Sequence, residues 1–422
     1  MKLAINGGKP VRTKPFPSAM PGASLIGEEA LAELQDVIAE RSPFRHYGIG
    51  KPHKVRDFEE EAQRFLGSKY ALAVSSGSAA LFCAVAALEI GVGDEVIMPA
   101  FGWYSNYNCA VCAGALPVFA EIDDTLNLDP MDFEKKITDR TKAVIVIHYQ
   151  GGPARMEEIV SIARTHNIKI IEDCAQAFGG QYKGRTLGTL GDIAVASFQT
   201  NKIITCGEGG LVYTDCEKYF VRAVRYHDLG FVRPVFRERL ENKSLADPEE
   251  SFAGYQFRMN ELQGALLLAQ IRKLSFILKR CRRSHRRIRE ALDDVGHFSF
   301  RPTDEGDCGI SLLMKFNTDK EASAFSRALV AEGIPCGPTS ACTNLLENYP
   351  IKSKKMVQEN IPPFGKGYIG ENTVYDSSLC PYTKRILARY VSIPIAPLYS
   401  DEDIEDIIKA VKKVDRVLYS AS

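Results

Sequence analysis

Between residues 54 and 215 the chain alternates strand-like apolar runs with helical periodicity, and no other feature limits its fold as strongly. Residues 54–66 carry Phe58, Ala62 and Phe65 at helical spacing. Strand-like runs follow at Ala71–Ser75, Glu95–Met98, Pro117–Glu121, Ala143–Ile147, Ile168–Glu172, Ala194–Phe198 and Gly210–Tyr213. An apolar helix at Ser78–Leu88 and helical stretches near 103–113, 130–137 and 156–166 separate several of them. The pattern predicts an α/β fold whose large, mainly parallel sheet is covered by helices on both faces.

A long helix is predicted to begin near Met259 and to run on into a basic stretch, joining two domains. The last third offers a strand near Gly309–Phe316, a helix near 320–332 and an irregular section from about 336 to 383. A closing amphipathic helix sets Ile404, Ile407, Ile408, Val411 and Val414 on one face. The chain's 422 residues are too many for one compact core. The expected division is an N-terminal arm at 1–25, a large domain at 26–275 and a smaller C-terminal α/β domain at 276–422.

Charge excludes some partners. The 53 basic and 53 acidic residues cancel, so no general field recruits nucleic acid or an anionic membrane. The run Lys279, Arg280, Arg282, Arg283, Arg286 and Arg287 reads as a solvated helix face. Neither a leader-like N-terminus nor an uninterrupted apolar run of about 18 residues is visible, and a cytoplasmic protein is expected. The eleven cysteines are odd in number and scattered, as reduced thiols would be. Cys109 and Cys112 form a CxxC inside an apolar stretch, and core packing is expected of them rather than metal or redox use.

Candidate chemistry gathers at predicted strand ends, where open α/β sheets bind ligands. One apolar strand ends in Glu172-Asp173. Another ends at Ser197-Phe198, and Lys202 follows in a polar, Gly-rich turn. A lysine in that position can form a Schiff base if its surroundings lower its pKa. Singly, Asp173 reads as a helix cap and Lys202 as a surface amine. Together they match what pyridoxal phosphate requires: an amine for the aldehyde and an acid against the pyridine nitrogen. Ser75-Ser-Gly-Ser lies between a strand and a helix; Gly77 allows close backbone approach, and Ser78 can open a helix whose free N–H groups suit a phosphate. Trp103, the single tryptophan, follows a strand end and could stack on a flat ring.

These residues resemble the DegT/DnrJ/EryC1/StrS sugar aminotransferases, a family of fold-type I pyridoxal-phosphate enzymes, over roughly residues 25 to 416. The resemblance is carried by Glu172-Asp-Cys-Ala-Gln-Ala, the Ser197-to-Lys202 spacing, Thr205-Cys-Gly-Glu-Gly-Gly, Gly254-Tyr-Gln-Phe-Arg-Met-Asn-Glu and the ending Val391-Ser-Ile-Pro-Ile-Ala-Pro. It implies that Lys202 carries pyridoxal 5'-phosphate and shuttles a proton, that Asp173 pairs with the pyridine nitrogen, and that Gln176 reaches the phenolic oxygen. It further implies that Ser197, Gly77 and Ser78 hold the phosphate and that Trp103 stacks on the ring. It implies a homodimer with shared active sites, Gln256 of one chain standing near the phosphate of the other. Three positions depart from the family: Gln256 replaces an Asn, Gln199-Thr-Asn replaces His-Pro-Thr, and the 336–383 section lacks the usual His-Tyr pair.

The expected reaction moves an amino group from glutamate or glutamine to a keto sugar or related small ketone. Elimination or cyclisation on the same fold, amination of a keto-deoxyoctulosonate acid (suggested by Glu121-Ile-Asp-Asp-Thr-Leu) and a non-catalytic regulator are the alternatives. A nucleotide-binding dehydrogenase is the weakest reading, because Gly48-Ile-Gly50 does not continue to a third glycine at the required spacing and no P-loop is present.

Overall fold

The computed structural model describes residues 2–51, 53–339 and 342–419. Its centre is a seven-stranded sheet of β1 (Tyr70–Val74), β2 (Glu95–Pro99), β3 (Leu116–Ala120), β4 (Thr141–Ile147), β5 (Lys169–Asp173), β6 (Ile193–Ser197) and β7 (Gly210–Thr214). The order across the sheet is β1-β7-β6-β5-β4-β2-β3. The pairs from β6 to β3 are parallel, and β7 runs antiparallel to both of its neighbours. All seven strands lie within two residues of their predicted positions.

Both faces of the sheet are covered, which is why its strands are mainly apolar, with charged residues confined to their ends. Leu72, Val74, Val96, Met98, Ile145 and Val212 pack with the helices Gly77–Ala87, Tyr104–Cys112 and Glu217–His227 on one face. Ala71, Ala73, Ala194, Ala196 and Leu211 face the helices Lys54–Leu66 and Glu261–Ile271 on the other, while Ile97, Val144 and Val146 meet Pro130–Lys135 and Met156–Thr165. Cys109 belongs to this core, whereas Cys112 is exposed. The packing expectation therefore holds for one member of the CxxC and fails for the other, which falls on the outer face of its helix.

A second, antiparallel sheet of β8 (Ser299–Phe300), β9 (Ser311–Lys315) and β10 (Tyr390–Pro394) is backed by the helices Asp319–Ala331 and Asp401–Tyr419. Its core is continuous with one face of the large sheet through Leu274, Ile277, Leu278 and Cys281. The N-terminal segment joins this end of the molecule: Ala4 and Val11 donate backbone N–H groups to the fully buried Glu332 carboxylate at 2.9 and 3.0 Å. Arg12 pairs with Asp403 and Asp406 at 2.6 and 2.9 Å. Among the described residues, no helix is long and apolar enough to cross a membrane.

Two expectations are corrected. The long helix from Met259 is two helices, Glu261–Ile271 and Leu274–Ala291. The break falls where Lys273 N–H returns to Gln270 O at 3.0 Å and the side chains of Arg272 and Lys273 leave the axis for Glu33, Glu61 and Glu29. The basic run is not simply a solvated face. Arg280 donates to Pro397 O and Tyr399 O, Arg282 to Asp307 O and Gly306 O, and Arg287 pairs with Asp401 and Glu405. The helix lies across loop carbonyls and the start of the last helix, so its guanidinium groups find acceptors there.

Burial holds the His285 pKa down at about 4, with Arg289 and Arg301 adding to the shift and Asp307 opposing it. The unfolded chain binds this proton below about pH 6.5 while the native chain refuses it, so stability falls as pH drops from there towards 4. His285→Gln removes that titration. Urea midpoints at pH 7 and pH 4.5 are expected to differ less in the variant than in the wild type.

Candidate active site

The antiparallel course of β7 decides where Lys202 stands. A parallel successor to β6 would need a crossover, whereas an antiparallel one needs only a short loop at the same sheet edge. Residues 198–209 form that loop, closed by Phe198 N–H to Gly209 O at 2.8 Å and by Thr205 Oγ1 to Phe198 O at 2.9 Å. Gly207 takes φ +87°, a conformation glycine adopts without strain. The C-terminal ends of β1, β2, β4, β5 and β6 all point to this edge.

A cavity of about 320 Å³ opens there. Gly77, Ser78, Trp103, Asp173, Gln176, Ser197 and Lys202 all line it. Seven of the eight predicted site residues, drawn from four strand ends, are thus brought together. Gln256 is not among them; it is exposed, on a strand-like stretch bridged to Asp228.

Lys202 is partly buried at the cavity wall, and loss of hydration lowers its pKa, while the Asp173 carboxylate and the Cys342 thiol oppose the shift. Asp173 accepts from Asn106 Nδ2 at 2.6 Å and from Ala175 N–H at 3.0 Å. Gln176 accepts from Gln150 N–H at 3.1 Å and donates to Cys342 Sγ at 3.1 Å, and burial pushes that thiol up to about 12. At the helix Gly77–Ala87 the cap is Ser76, whose hydroxyl accepts from Ala79 N–H. This corrects the expectation that Ser78 opens the helix: Ser76 has the extended backbone of a cap, and Ser78 Oγ turns to Ser105 Oγ at 2.6 Å. A Cβ on Gly77 would come within 2.7 Å of Ser197 Cβ, so glycine lets the helix N-terminus close on the Ser197 hydroxyl. Trp103 borders the cavity with about half its surface exposed.

These groups fit pyridoxal phosphate: a partly desolvated amine, a held carboxylate, and a hydroxyl beside free helix N–H groups. A second cavity of about 490 Å³ shares Gln176, Asn201 and Lys202 with the first and extends to Ser311, Ser392 and the 335–338 turn. Ala19 and Pro21 of the N-terminal segment form part of its wall, and Gly22 N–H donates to Lys202 O at 3.3 Å.

Sequence reading missed Asn106 and Cys342. Asn106 had one available signal, its place three residues after Trp103, where its Oδ1 accepts Trp103 N–H at 2.9 Å as in a helix cap. Cys342 lies in the irregular 336–383 section, which has no periodicity to read. The Glu121–Leu126 run does not reach either cavity: Glu121 accepts from Tyr382 and Thr383, and Asp124 from Lys315 and Tyr382. His148, Glu172 and Cys174 form a buried cluster with the spacing of a metal site. Glu172 is already taken by the N–H groups of Gly188, Leu190 and Gly191 and by His148 Nε2.

Asn106→Ala would leave the buried Asp173 carboxylate short of a donor and the helix short of its cap. A loss of roughly 1–3 kcal/mol of unfolding free energy is expected at pH 7, measured by chemical denaturation. No loss would mean that water replaces the amide.

Residues 26–412 match the family model described as the DegT/DnrJ/EryC1/StrS aminotransferase family. The spore coat polysaccharide biosynthesis protein SpsC of Bacillus subtilis is 32% identical, the alignment covering 92% of this chain and 95% of that protein. A putative L-glutamine:3-amino-2,3-dideoxy-scyllo-inosose aminotransferase of Micromonospora echinospora is also 32% identical, over 98% of this chain and 97% of its own. Among solved structures, an aminotransferase from Psychrobacter cryohalolentis superposes with a TM-score of 0.77 at 28% identity, covering 95% of this chain and 98% of that one.

Proposed function

The chain belongs to the DegT/DnrJ/EryC1/StrS aminotransferase family, and we propose that it transfers an amino group from glutamine or glutamate to the ketone of a sugar or cyclitol ring. The observation that carries this reading is a partly buried lysine sharing one cavity with a carboxylate held by two donors. The similarity to proteins named for a scyllo-inosose and for spore coat polysaccharide supports a polyhydroxylated acceptor. So does the outer cavity, whose described lining is amide, hydroxyl and apolar apart from Lys202.

The cofactor is pyridoxal phosphate. Bound, it supplies an aldehyde for amines and a protonated ring that takes up the electron pair of a broken C–H bond. The chain does the rest. Burial shifts Lys202 towards its neutral form, the form that attacks a carbonyl carbon. Its Nζ is also the group placed to move a proton between donor and acceptor carbons. Asp173, fixed by Asn106 and the Ala175 N–H, sets an anion against the ring nitrogen and keeps a proton there. Gln176, oriented by the Gln150 N–H, offers its amide to the phenolic oxygen. Ser197 and the first N–H groups of the helix Gly77–Ala87 receive the phosphate. Trp103 gives the ring a flat face to lie on.

The working unit is a homodimer, with Gln256 of the partner subunit reaching the phosphate. The family segment around Gly254 supports this. So does the surface near it, where Tyr255, Phe231 and Leu229 are 58%, 60% and 49% exposed.

Lys202→Ala should abolish turnover, because among the described residues no other lysine lines either cavity. In the wild type, borohydride reduction and peptide mapping should place the cofactor on Lys202; label on another lysine overturns the assignment. Glutamine or glutamate should bleach the cofactor's absorbance band. Gln256→Ala is expected to weaken cofactor retention on dialysis by roughly 1–3 kcal/mol. Unchanged retention would mean that the phosphate is held within one chain.

A further inference from the structure

We propose that Gln150 is the residue that reads the hydroxyl groups of the acceptor ring, through a polar relay with Ser392 and Ser311. The inference rests on the aminotransferase reading above. It starts from the backbone. Gln150 sits at φ 43°, ψ 49°, a left-handed conformation uncommon for a residue with a side chain. Such a conformation persists only where its surroundings over-determine it, and it concentrates at ligand sites.

The surroundings here are extensive. Tyr149 N–H donates to Asn127 Oδ1 at 2.7 Å. Arg301 donates to Tyr149 O at 2.7 Å and to Gln150 O at 3.3 Å, and is itself held by Asp307 at 2.8 Å. The next carbonyl, of Gly151, accepts from Cys308 N–H at 3.0 Å. This frame fixes a turn just beyond β4, at the wall of the outer cavity.

The side chain has two ends with different fates. Its Oε1 accepts from Ser392 Oγ at 3.4 Å, and Ser392 Oγ shares a hydrogen with Ser311 Oγ at 2.8 Å. Both serines are buried on the small sheet, on paired strands, and both line the same cavity. The Gln150 Nε2 has no hydrogen-bond partner among the described residues, so its two N–H groups remain for a ligand. Amide N–H groups beside rotatable hydroxyls can both donate to and accept from ring hydroxyls. A ring ketone without hydroxyls would leave them unpaired, which is how a polar site rejects an apolar analogue. The relay spans the large and small sheets, so a ring bound there is gripped from both sides. The ligand class is a neutral polyhydroxylated ring.

The test compares two acceptors on the holoenzyme, 2-deoxy-scyllo-inosose and cyclohexanone, as a ratio of kcat/KM. Gln150→Asn keeps a residue that tolerates the left-handed backbone while withdrawing the amide by one methylene. Ser392→Ala removes the middle of the relay. The wild type is expected to prefer the polyol ketone, and each variant to lose about tenfold of that preference, chiefly in KM. A preference retained by Gln150→Asn overturns the assignment of Gln150, whatever Ser392→Ala does. A wild type that takes neither ketone, or shows no preference, also overturns it. If neither glutamine nor glutamate changes the wild-type cofactor spectrum, the aminotransferase reading itself falls; a normal donor response with an unaltered preference sinks this inference alone.

Discussion

The reversal of β7 inside an otherwise parallel run of strands is the constraint on which the site depends. Gly210 pairs with Ser197 on one side and with Val74 on the other. Three chain segments therefore meet at one point of the sheet edge: the end of β1, the end of β6 and the start of β7. A Cβ at Gly210 would come within 2.2 Å of Ser76 O, so the meeting is close enough to demand glycine. The lysine loop and the helix cap beside Ser197 both follow from this contact.

The strand period divides the labour of two adjacent acids. Successive side chains in a strand point to opposite faces. At the end of β5, Glu172 turns inward to the 188–191 turn and His148, where four donors surround it. Asp173 turns to the cavity, where Asn106 and the Ala175 N–H hold it. His148 Nδ1 accepts from Ala154 N–H at 3.2 Å, which leaves its Nε2 hydrogen for Glu172. A neutral imidazole thus supports a buried carboxylate without introducing a second charge.

The outer cavity is assembled from parts far apart in sequence. One wall comes from Ala19 and Pro21, whose segment is tied to the small sheet's helices through Glu332 and Arg12. Another part of the wall comes from β9, β10 and the 335–338 turn. Lys202 also lines it, and its own carbonyl holds Gly22 N–H.

The sequence by itself determined the seven main strands, because strands buried on both faces must be mainly apolar and leave a local record. It also marked seven residues of the inner cavity, because amine, acid and glycine stand in fixed, short spacings at strand ends. Tertiary structure alone decided what those spacings do not encode. Asn106 reaches Asp173 across 67 residues, and Gln150 meets Ser392 across 242. The helix break at Lys273 and the carbonyl contacts of the basic run likewise depend on neighbours distant in the chain. Such partners are chosen by the packing of whole elements, and a side chain's own sequence neighbourhood carries no trace of an acceptor that only folding brings within reach.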